Sequence, residues 1–170
     1  MTMENPPRLG FVGFGEAGYH IAKGLRAGGL TGICAFDLHT PTPGRGEKIQ
    51  QRAAETGVAL CETNAQLAAA CDVLLSTVTA NQAQTAAEQN APHLTNAHLY
   101  ADLNSVSPAL KQSIAQLIEA RGARFVEIAI MSPVPPHGHR VPMFLGGAHA
   151  QVLVELLAPY GMNHVRVVEE

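Results

Sequence analysis

Three glycines near the start of the chain, Gly13, Gly15 and Gly18, mark its most chemically specific stretch. They belong to the turn Gly13-Phe14-Gly15-Glu16-Ala17-Gly18, a G-x-G-x-x-G spacing that follows an apolar run from Leu9 and opens a helical pattern through Ile21, Ala22 and Leu25. In that setting each glycine has its own reason to lack a side chain. Gly13 permits a tight turn, Gly15 lets backbone N–H groups approach a pyrophosphate, and Gly18 lets the helix pack close to the strand. The helix N-terminus adds partial positive charge where phosphates would sit. Nineteen positions beyond Gly18, a second apolar run ends in Asp37, whose carboxylate could hydrogen-bond an adenosine ribose. Together these features predict dinucleotide binding.

The elements needed to position such a turn recur along the chain. Short apolar runs at residues 9–14, 32–37, 58–60, 73–78, 99–103 and 125–130 alternate with helical patterns, which predicts a parallel sheet covered on both faces. Residues 45–56, 64–70, 81–90 and 148–160 read as helices. Ser107-Pro108 reads as an N-cap with proline in the first helical position. The helix beyond it places Leu110, Ile114, Leu117 and Ile118 on one face and stops at Gly122. A proline- and histidine-rich loop at 132–142 precedes two last short strands, near 143–145 and 164–168. The expected fold is α/β, a Rossmann-type, doubly wound, mostly parallel sheet. It forms one domain over residues 1–170, with 1–7 as a polar tail. Right-handed crossovers put the glycine turn at the carboxyl edge of the sheet, near the switch point where ligands bind.

Composition narrows the partners. Apolar residues make up 46% and charged residues 15%, ordinary for a soluble α/β protein. A net charge of −3 gives no electrostatic ground for nucleic acid or an anionic membrane. No apolar run approaches the roughly 18 residues that span a bilayer, and no basic-then-apolar leader is present, so a cytoplasmic protein is expected. Cys34, Cys61 and Cys71 are odd in number, lack metal-ligand spacing and read as small buried apolar residues in a reducing compartment. His137 and His139 lie close together, but no Cys, Asp or Glu completes a zinc set, and no metal is expected.

Three later segments also fall at expected carboxyl ends of strands: Thr77-Val78-Thr79-Ala80-Asn81, Asp102-Leu103-Asn104-Ser105-Val106-Ser107-Pro108, and Ile130-Met131-Ser132-Pro133-Val134-Pro135-Pro136-His137-Gly138. With the first turn, their spacing resembles the β-hydroxyacid dehydrogenase superfamily, which includes 6-phosphogluconate dehydrogenase and the imine reductases. The resemblance runs over nearly the whole chain as the N-terminal NAD(P)-binding domain of such enzymes, and is greatest to a less-studied branch. The segment from Asp102 to Pro108, with Arg121-Gly122-Ala123-Arg124-Phe125 downstream, is similar to the family's D-[LV]-S-T-x-x-P and R-G-x-x-[FY] elements. Phe144-Leu145-Gly146-Gly147 is similar to its later hydrophobic-GG turn.

The resemblance implies that Gly13, Phe14, Gly15, Glu16, Ala17 and Gly18 hold the pyrophosphate of NAD(P) and that Asp37 holds the adenosine ribose. NAD is preferred in this reading, because a 2′-phosphate beside Asp37 would meet like charge; Arg45, with His39 and Thr40, is the group that could reverse it. Thr77, Val78, Thr79 and Asn81 would line the riboses. Asn104 and Ser105 would face nicotinamide and substrate, with Asn104 also touching the cofactor. Ser132 would be the serine of the family's S-G-G substrate loop. The chain departs there, since Pro133-Val134 replace the two glycines and proline has no N–H for a substrate carboxylate.

Hydride transfer to a carbonyl or imine also requires a proton donor. The resemblance makes that group a lysine on the first long helix after this domain, in the hydroxyacid members, with an asparagine one turn later. This sequence ends at Glu170 before such a helix, and Lys23, Lys48 and Lys111, its only lysines, lie on expected helices away from that position. The catalytic residue is thus unassigned, and the family's helical C-terminal domain is absent from this chain. The expectation is the cofactor half of a homodimeric oxidoreductase acting on a small hydroxyacid, carbonyl or imine, inactive by itself. The rival reading is a non-enzymatic NAD(P)-binding module. A methyltransferase is disfavoured by Ala17, where a third glycine would fall. A short-chain dehydrogenase is disfavoured because Asn104 and His164, not lysines, stand four positions after Tyr100 and Tyr160.

Overall fold

The computed structural model describes residues 5–168, so most of the expected leading tail, residues 1–4, lies outside the described residues. The chain runs β1 (Leu9–Val12), α1 (Glu16–Ala27), β2 (Cys34–Phe36), α2 (Arg45–Thr56), β3 (Ala59–Leu60), α3 (Asn64–Ala70), β4 (Val73–Ser76) and α4 (Ala83–Asn90). It continues through β5 (Leu99–Asp102), α5 (Pro108–Glu119), β6 (Arg124–Ile130), a single turn α6 (Val134–His137), β7 (Met143–Gly146), α7 (Ala150–Leu157) and β8 (Val165–Val167). The eight strands form one sheet in the order β3-β2-β1-β4-β5-β6-β7-β8. All pairs from β3 to β6 are parallel. The fold is the Rossmann-like, mostly parallel sheet expected, and the strand order reverses between β1 and β4.

Local sequence accounts for these elements. The central strands β1, β4 and β5 are buried along their whole length, which is why they read as continuous rather than alternating apolar runs. One layer packs Ile21 and Leu25 of α1, Ile49 of α2 and Leu153 of α7 against the sheet. The other packs Leu67 of α3, Ala87 of α4 and Ile118 of α5 on the opposite face. Ile21 and Leu25 are one helical turn apart and fully buried, so each stabilises by roughly 1.5–3 kcal/mol. Ser107 caps α5 by accepting from Leu110 N–H at 3.2 Å, with Pro108 at the first helical position.

Three details differ from the sequence-based expectation. The buried stripe of α5 is Lys111, Ile114 and Ile118, while Leu110 and Leu117 are only half-buried. Cys71 is buried as expected, but Cys34 and Cys61 are half-exposed, because β2 and β3 lie at the margin of the sheet. The segment expected as a loop at 132–142 holds the short α6 and one 3-10 turn (Gly138–Arg140), with no crossover helix before β7. The chain therefore returns antiparallel, β7 beside β6, with Met131 N–H donating to Pro142 C=O at 2.9 Å. No helix among the described residues is long and apolar enough to cross a membrane.

Candidate functional site

A cleft of about 280 Å3 opens at the carboxyl edge of the sheet, between the ends of β1 and β4. Its floor is the glycine turn. Gly13 sits at φ +85°, a conformation that L side chains rarely adopt, and donates to Phe36 C=O at 2.8 Å. A Cβ on Gly18 would lie 2.8 Å from Thr77 Oγ1, the same hydroxyl that donates to Gly13 C=O at 2.8 Å. Close helix–strand packing thus requires Gly18. Gly15 is different, because a Cβ there would meet nothing within 4 Å and would project into the cleft. Gly15 is also the N-cap of α1 and offers no side-chain hydrogen bond, so the first-turn N–H groups are left for an anion. Glu16 and Ala17 line the cleft with it.

Asp37 joins β2 to this turn. Its Oδ2 accepts from Phe14 N–H at 2.7 Å and its Oδ1 from His39 N–H at 2.8 Å. Each carboxylate oxygen keeps a second lone pair for a ribose hydroxyl. Phe14 stands apart from its neighbours in the turn. Its N–H is engaged by Asp37 and its ring is fully buried, edge-to-face with Phe11 at 6.0 Å, and the residue does not line the cleft. Leu38, His39 and Arg45 form the outer wall on the β2 side. The opposite wall is Thr77, Val78 and Thr79, continued by Gln82 and Ala86. Asn81 is not part of it; the amide accepts from Thr79 Oγ1 at 2.7 Å instead. Gln82, the last residue of the 3-10 turn Ala80–Gln82 that precedes α4, lines the cleft in its place.

The expected substrate-side residues lie outside this cleft, at the ends of β5 and β6. Asn104 is buried, and its Nδ2 donates to Ser76 Oγ at 3.0 Å and Asp102 Oδ2 at 3.3 Å. Its N–H donates to Asp102 Oδ1 at 2.9 Å. Beneath it lies an ion pair that the sequence reading missed. Lys111 Nζ donates to Asp102 Oδ1 at 2.8 Å, Asp102 C=O at 2.7 Å and Ile128 C=O at 3.1 Å. All three ammonium hydrogens are used, so Lys111 is a clamp between the ends of β5 and β6 and not a proton donor. Its position three before Ile114 and seven before Ile118 was the available signal.

Ser105 is exposed beyond that cluster, and Ser132 is half-buried just after β6. The loop carrying Ser132 rests on α1 through His139, whose ring packs against Gly24 and Gly161. Burial holds the His139 imidazole below its usual pKa, assisted by Arg140 and His164 and opposed by a hydrogen bond to the Tyr160 backbone. Among the described residues no three His, Cys, Asp or Glu side chains are grouped to hold a metal.

Comparison with known proteins places this geometry. Residues 8–152 match the family described as the NAD binding domain of 6-phosphogluconate dehydrogenase. The mitochondrial 3-hydroxyisobutyrate dehydrogenase of Drosophila melanogaster is 26% identical over 153 residues, which is 88% of this chain and 45% of that protein. A conserved hypothetical protein from Sinorhizobium meliloti 1021 superposes with a TM-score of 0.87 at 37% identity, over 95% of this chain and 54% of its own. An imine reductase from Myxococcus stipitatus, 18% identical, shares the fold; its variant complexed with NAD+ gives a TM-score of 0.79 over 96% of this chain and 55% of its own, and its complex with NADP+ gives 0.77 over 95% and 55%. The chain spans about half the length of the relatives it matches.

Proposed function

The chain belongs to the family of the NAD binding domain of 6-phosphogluconate dehydrogenase, and from that membership we propose that residues 1–170 act as one nicotinamide-dinucleotide-binding domain of an oxidoreductase. The observation that carries the reading is the pair Gly15 and α1: open space where a Cβ would stand, beside first-turn N–H groups with no capping side chain. The open space at Gly15 and the uncapped N–H groups of α1 suit an anion such as a pyrophosphate. The residues proposed to hold the cofactor are Gly13, Gly15, Glu16 and Ala17 at the pyrophosphate, and Asp37 at the adenosine ribose. Gly18 acts by close packing, and Phe14 by the N–H that orients Asp37. Thr77, Val78 and Thr79 line the ribose wall, and Gln82 replaces Asn81 in that role. When bound, the nicotinamide would exchange hydride with a small hydroxyacid, carbonyl or imine. Asn104 serves by holding the β5 loop, and Ser105 and Ser132 are the hydroxyls left to meet substrate.

The proposed preference is for NAD(H). At about 4 Å and an effective dielectric near 20, a 2′-phosphate beside the Asp37 carboxylate meets roughly 4 kcal/mol of repulsion before screening. Arg45 on the same side opposes this, so Asp37→Ser should narrow the preference and Arg45→Ala should widen it. Protonation of the product and exclusion of water need groups beyond the two serine hydroxyls. We therefore assign no catalytic acid within residues 1–170 and expect this chain alone to be inactive. The whole enzyme is proposed to be a cytoplasmic homodimer. Titration with NADH, followed by its fluorescence, tests the site, with Gly15→Val as control. Equal affinity of the variant would remove the assignment. Turnover of NADH with β-semialdehydes, keto acids or cyclic imines by these 170 residues would show that a proton donor lies among them.

A further inference from the structure

We propose that Asn90 and Asn64 read the exocyclic amino group of the cofactor's purine, making the site selective for adenine over 6-oxopurines. This rests on the dinucleotide reading above. Among the described residues, four buried side-chain polar atoms lack a hydrogen-bond partner, and two of them, Asn90 Oδ1 and Asn64 Oδ1, belong to residues lining the same cleft. A buried carbonyl oxygen without a donor is costly, and its recurrence in one cleft calls for a ligand that supplies N–H groups.

The orientation of Asn90 is determined by its surroundings. The residue is fully buried at the end of α4, and its Nδ2 donates to Ala86 C=O at 2.8 Å. Reversing the amide would set two carbonyl oxygens against each other, so the oxygen is the atom left free. Asn64 stands in the first turn of α3 on the same cleft. Two acceptors match the two hydrogens of an aromatic amine. Adenine presents such an amino group at N6, whereas guanine and hypoxanthine present an acceptor oxygen at that position. The cleft suits a base, because Ala86 and Val78 in its lining offer apolar contact for the base's face. Gln82 and Gln89 also line the cleft but are exposed, so the two asparagines differ from these polar neighbours in having buried, unpartnered oxygens.

The test compares NADH with the reduced nicotinamide hypoxanthine dinucleotide, both titrated by fluorescence against the 170-residue chain. A site built to hydrogen-bond an amino group should reject the analogue lacking it by about tenfold or more. Asn90→Leu, which keeps the side-chain volume and removes both polar atoms, should lower NADH affinity to that of the hypoxanthine analogue. Affinity for the analogue should stay within about twofold of the wild-type value. Because Asn90 is buried, Asn64→Ala on half-exposed α3 gives a second variant whose folding is less at risk, with the same loss of preference expected. Equal wild-type affinity for the two dinucleotides overturns the proposal, as does a preference that survives in Asn64→Ala and in folded Asn90→Leu. Binding of neither dinucleotide by the wild type removes the dinucleotide reading itself and this inference with it, a result distinct from equal binding of both.

Discussion

Lys111→Met should be among the most damaging single changes in this chain, although Lys111 does not line the cleft. Methionine keeps the aliphatic length of lysine and deletes only the ammonium. Asp102, whose side chain is fully buried, would then keep two N–H donors from Asn104 and no counter-charge. The carbonyls of Asp102 and Ile128 would each lose a donor as well. Breaking a buried ion pair by removing one partner costs about 3–5 kcal/mol, a large part of the roughly 5–15 kcal/mol that holds a domain folded. At about 2–4 °C per kcal/mol for this size, Tm should fall by about 6–20 °C. Combining Lys111→Met with Asp102→Asn removes both charges and should recover more than half of that loss, because the penalty comes from the stranded carboxylate. Thermal and urea unfolding followed by circular dichroism measure all three variants. A single variant within about 2 °C of wild type, or a double variant no more stable than Lys111→Met, would refute the argument.

Three further outcomes follow from the same geometry. Gly18→Val should destabilise by about 1–3 kcal/mol through its clash with Thr77, whereas Gly15→Val should leave the urea midpoint nearly unchanged and abolish NADH binding; matching stability losses in the two would contradict the separate roles of these glycines. Because burial lowers the folded-state pKa of His139 below its unfolded value near 6.5, its neutral form stabilises the fold above that pH, and this contribution should be lost as pH falls through the folded value. His139→Gln should flatten the decline in urea midpoint between pH 7 and 5, and an unchanged slope would place the acid sensitivity elsewhere. In competitive titration Arg45→Ala should bind NADPH more weakly while NADH affinity holds, and equal losses for both cofactors would mean that Arg45 does not meet the 2′-phosphate.

What the sequence could reveal about this protein follows a physical boundary. The glycine turn, the Ser107 cap and the buried central strands depend on neighbours within a few residues, and their spacing in the chain carries the information. Features set by contacts between distant segments were harder to read. The Lys111–Asp102 pair joins residues nine apart and reaches across to Ile128; the helical phase Lys111 shares with Ile114 and Ile118 points to burial, but the partners lie on other elements. Gln82 rather than Asn81 lines the cleft, at the end of a 3-10 turn that composition does not announce. Asn104 was expected to face a ligand; the fold commits its amide nitrogen to Ser76 and Asp102. A side chain's type indicates which bonds it can make, but only the fold decides which partner claims them.

That division has a consequence at the end of β4. Ser76 and Thr77 are adjacent, and successive residues of an extended chain point to opposite faces. Ser76 Oγ accepts from Asn104 on the side of α4 and α5, while Thr77 Oγ1 donates to Gly13 C=O on the side of α1. One dipeptide thus ties the glycine turn to the loop that leads into α5. The cofactor cradle and the β5 loop of the proposed site are both tied to this shared strand end. Ser76→Ala would leave the Asn104 amide with Asp102 as its remaining partner without touching the cleft wall. Changes at Ser76 should therefore affect the β5 loop while sparing the cradle, and changes at Thr77 should do the reverse. The separation follows from the pleat of the strand.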